Sequence, residues 1–162
     1  MLLLHNVSLR NSKSFSLQGL DTFDKRGDGI ATIYSKKFSC TKVDLVKFSS
    51  FEYLALVLKT EPAVLIITIY RPPRHISLFL PEFSELTALI ITTYNRIILN
   101  GDFNIHINNT ADSKALEFLN LLENLELTQH ITEATHQQGN KLVSTFDPYS
   151  VNCSPDKNDC CP

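Results

Sequence analysis

Two short strings hold the residues whose types and spacing suit chemistry. Residues 101–104 read Gly-Asp-Phe-Asn and follow the apolar run Ile97-Ile98-Leu99. Asp102 can accept a proton or hold a cation-bound water, and Asn104 offers a donor and an acceptor without adding charge. His106 stands two residues further on and could face the same place. The second string, Tyr70-Arg71-Pro72-Pro73, closes the apolar run from Ala63 to Ile69. Its two prolines cannot continue a strand ladder, so the phenol and the guanidinium fall at a strand end. Gly-Asp-x-Asn is also the composition of an ordinary Asx turn, so the first string alone does not specify a site.

The elements that must position these groups follow from periodicity. Ile97, Ile98 and Leu99 suit a strand covered on both faces, and Gly101 permits a backbone path that other residues resist. Gly29 to Tyr34 reads as a strand opened by the Gly27-Asp28-Gly29 turn, and Thr41 to Val46 as a short second one. Phe51 to Lys59 and Ala63 to Tyr70 flank Glu61-Pro62 and predict an antiparallel hairpin. A helix is expected from near Pro81, with Phe79, Phe83, Leu86 and Ile90 on its buried stripe. Asp112 suits the cap of a second helix over about 113–124, which buries Phe118, Leu121, Leu122 and Leu125. Leu127 to Ile131 reads as one more strand. Residues 1–25 show no clear period beyond Phe15-Ser16-Leu17.

Composition bounds the rest. A chain of 162 residues with 43% hydrophobic and 20% charged content predicts one globular domain rather than wholesale disorder. The net charge of −2 gives no global attraction to nucleic acid, so a DNA-binding face would have to be local. Lys36 with Lys37 and Arg71 with Arg74 are the candidates. No apolar run reaches membrane-spanning length, and Met1-Leu2-Leu3-Leu4 is too short for a secretory signal; a soluble chain is expected. Cys40 reads as a small core residue. Cys153, Cys160 and Cys161 lack a zinc spacing and weakly indicate a reducing compartment. His130 and His136 share no helix turn with each other or with His106, so no metal cluster is expected from them.

The order strand, Tyr-Arg-Pro-Pro, helix, strand, Gly-Asp-Phe-Asn resembles the endonuclease/exonuclease/phosphatase superfamily. It is most similar to the apurinic-type endonuclease domain of LINE-type (non-LTR) retrotransposon polyproteins. Residues 26–31 (Arg-Gly-Asp-Gly-Ile-Ala), 51–56 (Phe-Glu-Tyr-Leu-Ala-Leu) and 135–139 (Thr-His-Gln-Gln-Gly) agree with it. The resemblance implies an α/β fold, a two-sheet α/β sandwich of the DNase I-like type with helices outside. It implies Mg²⁺-dependent hydrolysis of DNA phosphodiester bonds, with DNA as partner and no small-molecule cofactor; it leaves the location open within the cell, the nucleus being one place the family's role allows. Residue by residue, Asp102 would orient or deprotonate the attacking water, Asn104 would position water and phosphate, Tyr70 would touch the phosphate, and Arg71 would help neutralise it. His106 is a further candidate for substrate contact, against a surface or loop-packing role that related domains with the same Asn-Ile-His string favour.

The chain departs from that pattern at both ends. No segment before Gly19 matches the family's strand asparagine or its Mg²⁺-holding glutamate, and residues 141–162 contain no histidine. Val143 stands where the family's Gly-x-Thr-Leu-Asp-Leu string has aspartate. The expected organisation is therefore a poorly specified segment over 1–14, a partial domain over 15–140, and a divergent, disordered tail over 141–162. Groups that act as a unit should be lost together, so little or no catalysis is expected. The competing reading is a non-enzymatic remnant that binds nucleic acid or protein. A phosphorylated small molecule or lipid as substrate is a third, disfavoured by Tyr70-Arg71-Pro72-Pro73.

Overall fold

The computed structural model describes residues 15–21, 29–73, 76–107, 111–130 and 143–147. Ten elements follow in chain order: β1 (Phe15–Asp21), β2 (Gly29–Ser35), β3 (Cys40–Val43), β4 (Glu52–Leu58), β5 (Val64–Tyr70), α1 (Ile76–Ile91), β6 (Ile97–Asp102), α2 (Ser113–Asn124), β7 (Thr128–Gln129) and β8 (Val143–Asp147). They build an α/β fold with two sheets. The larger has the order β3-β4-β5-β6-β8-β7, and β1 pairs with β2 in the smaller.

The expected hairpin is present, with β4 and β5 antiparallel from Glu52 opposite Tyr70 to Leu58 opposite Val64. Glu61-Pro62 forms its turn with a cis peptide bond. The connection from β5 to β6 crosses over through α1, and these two strands are parallel, Leu65 opposite Ile97 through Tyr70 opposite Asp102. A parallel pair needs such a crossover, because a tight turn can only reverse the chain.

Strand alternation divides the side chains between two layers. Leu65, Ile67 and Ile69 of β5, with Ile97 and Leu99 of β6, face a core completed by Phe79, Phe83, Leu86 and Ile90 of α1 and Ala115, Phe118 and Leu122 of α2. The rings of Phe79, Phe83, Phe103 and Phe118 lie in mutual contact at its centre, with centroids 5.3–6.3 Å apart. On the opposite face Leu54 and Leu56 pack with Ile30 of β2, flanked by Tyr34 and Tyr70. There the hydroxyls of Thr32 and Thr68 share a hydrogen bond of 2.9 Å between the sheets.

Four differences from the sequence expectation have physical causes. Helix α1 starts at Ile76 and contains Pro81 inside it, rather than beginning there. Proline removes one backbone donor, and burial of Phe79 in the aromatic cluster offsets that loss. Residues 143–147, read as part of a disordered tail, form β8 and pair with both β6 and β7. Strand β1 runs the full seven residues against β2, although its own sequence lacks a clear period. Strand β8 is specified by β6, far from it in the chain, and β1 by its register against the next strand, β2; a strand's own pattern registers neither. Ile98 and Asn100 are half-buried, so β6 is fully covered only on its helix-facing side.

Cys40 opens β3 and is half-buried rather than a core residue. The segment expected to form a strand from Leu127 shrinks to Thr128–Gln129. Arg74, His136, Gly139 and the three C-terminal cysteines lie outside the described residues. No described helix is long and apolar enough to cross a membrane.

Candidate active site at one end of the sheet

The start of β4 and the ends of β5 and β6 meet at one end of the larger sheet. Backbone pairing makes Glu52, Tyr70 and Asp102 one continuous cross-strand row. Alternation sets this row on the face opposite the helices, the face on which Tyr70 flanks the Ile30, Leu54 and Leu56 cluster. Val143 extends the row as the partner of Asp102, so β8 contributes no carboxylate there.

Gly101 explains how the chain reaches this row. Its φ is +150°, and a Cβ at this position would stand 1.9 Å from the Ile69 carbonyl oxygen. Only glycine lets β6 approach β5 so closely just before the acid. After Asp102 the chain turns sharply: the Asn104 backbone N–H donates to Asp102 Oδ1 at 3.0 Å, and Asn104 is left-handed with φ 50°. The Asx turn anticipated from composition is therefore present. Asparagine is among the residues that tolerate this conformation.

A reciprocal clasp ties that turn to the end of β5. The Arg71 backbone N–H donates to the Asp102 carbonyl at 2.9 Å. The Arg71 guanidinium donates through Nε to the Phe103 carbonyl and through Nη2 to the Asn104 carbonyl, the latter at 2.7 Å. In return Asn104 Nδ2 donates to the Arg71 carbonyl at 2.6 Å. Reversing that amide would set two oxygens against each other, so its orientation is determined by the partner. The guanidinium also lies over the Phe79 ring, 5.6 Å from the centroid.

These contacts take up the Arg71 side chain. The sequence offers it to a substrate phosphate, but its side chain is 2% exposed and its fork is engaged by the two loop carbonyls. Burial pushes its pKa below the ordinary arginine value, and the neighbouring charge of Asp102 works the other way. Asp102 itself is 6% exposed. Of the other expected basic candidates, only Lys36 and Lys37 are among the described residues. Lys36 and Lys37 occupy the β2–β3 turn, and Cys40 after it pairs with Leu58, at the end of the sheet remote from Asp102.

Tyr70, Asp102 and Asn104 are thus brought together, and His106 is exposed on the loop just beyond them. Glu52 joins the row although the sequence reading did not single it out. Counting back along the hairpin from Glu61-Pro62 would have placed it beside Tyr70, but only with the register known. Glu52 and Asp102 are separated by the whole of β5, about 9–10 Å at two interstrand spacings. Among the described residues no group of three His, Cys, Asp or Glu side chains could hold an ion.

The fold has known counterparts. The chain is similar to the endonuclease domain of TRAS1, a telomere-specific non-LTR retrotransposon, with TM-score 0.57 and 13% identity over 80% of this chain and 66% of that one. It is also similar to an endonuclease/exonuclease/phosphatase family protein from Bacteroides thetaiotaomicron, with TM-score 0.55 and 11% identity over 84% of this chain and 60% of that one. The chain therefore has the fold expected from its motifs and spans about two thirds or less of the length of these structures. No protein-family model and no curated protein matches it by sequence.

Proposed function

We propose that this chain is an endonuclease/exonuclease/phosphatase-type domain of retrotransposon origin that acts on DNA phosphodiester bonds with weak turnover. The observation that carries the reading is the register of Tyr70 against Asp102, with Asn104 folded back beside them at the sheet end. In this reading the Asp102 carboxylate takes a proton from the attacking water. Asn104 and the Tyr70 hydroxyl orient the phosphate, and exposed His106 contacts the DNA further along. Hydrolysis of this kind depends on geometry and charge placement more than on covalent help.

Weak turnover is expected from the family strings that the chain lacks, with Val143 in place of an aspartate and no histidine over residues 141–162. The site's described donors form no metal cage, and Asp102 shares its charge with buried Arg71. Mg²⁺ therefore enters this reading as an added cation rather than as a resident of a protein cage. The test is nicking of supercoiled plasmid with Mg²⁺ or chelator, alongside Asp102→Ala and Asn104→Ala. Slow Mg²⁺-stimulated nicking that both substitutions abolish is the expected result. Folded protein that never nicks, yet binds DNA in a salt-dependent way even as Asp102→Ala, would instead make it a non-enzymatic binding module.

A further inference from the structure

We propose that Arg71 is a positioning residue that locks the turn after β6, so that Asp102 and Asn104 are held in place by its guanidinium rather than the substrate being held by it. This deepens the reading of the site given above and rests on it for its catalytic consequence. Four hydrogen bonds link Arg71 to residues 102–104 in both directions, through its backbone N–H, its carbonyl and two guanidinium nitrogens. Phe79 closes one side of the guanidinium, and the side chain is almost wholly removed from solvent.

The arrangement requires arginine. Its planar fork spans two carbonyls at once, whereas a lysine ammonium is a point charge that cannot reproduce the fork. Asn104 sits at a φ of 50°, uncommon outside glycine even though asparagine tolerates it, so the turn has commoner backbone angles to relax to. Without the fork, the carbonyls of Phe103 and Asn104 lose their donor and the turn can relax towards commoner backbone angles. Asp102 would keep its place in the ladder while Asn104 moved away from it.

Two measurements test this, one independent of activity. In nitrogen-15 NMR of the wild-type chain the Arg71 Nε–H should give a slowly exchanging signal near neutral pH, and the Asn104 side-chain amide should be protected. In Arg71→Lys, shown to be folded by a cooperative melt, the Asn104 protection should vanish. Unchanged Asn104 signals in that variant, or a fast-exchanging Nε–H in the wild type, would overturn the proposal whether or not the chain nicks DNA. If it does nick, Arg71→Lys should lower kcat on the order of 100-fold and leave KM within about threefold, as expected for a displaced reacting group. A raised KM with unchanged kcat would return Arg71 to the substrate phosphate.

Discussion

Substituting Gly101 by alanine tests the close approach on which the site is built. The added methyl carbon would meet the Ile69 carbonyl oxygen at 1.9 Å and its carbon at 2.7 Å. Both are backbone atoms of the neighbouring strand, so no side chain can swing aside. The φ of +150° is strained for alanine as well, at a cost of about 1–3 kcal/mol. Relieving the contact means separating β5 from β6 near Tyr70 and Asp102, with loss of one or two ladder bonds at about 1 kcal/mol each. The sum, about 2–5 kcal/mol, is a large share of the roughly 5–15 kcal/mol that holds a domain together. For a chain of this size it should lower Tm by about 4–20 °C. Thermal melts followed by circular dichroism, with urea titration at 25 °C, measure this directly. A Gly101→Ala protein melting within about 2 °C of the parent would refute the account of why glycine precedes Asp102.

Other expectations follow from contacts elsewhere. The Glu82 carboxylate accepts from the backbone N–H and hydroxyl groups of both Ser49 and Ser50, at 2.5–3.2 Å, which pins α1 to the loop before β4. Although burial opposes ionisation, these donors hold its pKa down at about 2, below the ordinary value of 4.5. Because the folded-state pKa is the lower one, the stabilisation is present above about pH 4.5 and disappears as pH falls towards 2. Glu82→Gln should lose about 0.5–1.5 kcal/mol at pH 7, since solvent screens part of the interaction, and show a flatter acid limb in Tm against pH; an unchanged limb would assign acid sensitivity to other groups. Asp112 caps α2 by accepting from the Lys114 backbone N–H at 2.9 Å, so Asp112→Ala should cost about 0.5–2 kcal/mol in a urea titration. Phe79→Ala removes a ring that touches Phe51, Phe83, Phe103 and Phe118; it should cost about 3–5 kcal/mol and broaden the near-ultraviolet spectrum.

What could be read from the sequence was what depends on local pattern. The apolar runs that become β4, β5 and β6 are long and bounded by Pro and Gly, and Asp112 marks its helix by cap chemistry alone. Phe79, Phe83, Leu86 and Ile90 revealed the buried stripe of α1, because helical spacing survives a misplaced start. The pairing of Tyr-Arg-Pro-Pro with Gly-Asp-Phe-Asn was also visible, as an order of motifs. Tertiary structure alone decided what those motifs do to each other. Strand β8 exists through pairing with remote β6, the full length of β1 through its register against β2, and Glu52 enters the row through hairpin register. Arg71 shows the difference most plainly. In sequence it is a cation next to prolines and suits a phosphate; in the fold, burial beneath the turn gives it the carbonyls of Phe103 and Asn104 instead. A residue's type fixes which bonds it can make, and the path of the chain determines which partners come within reach and whether water competes for them.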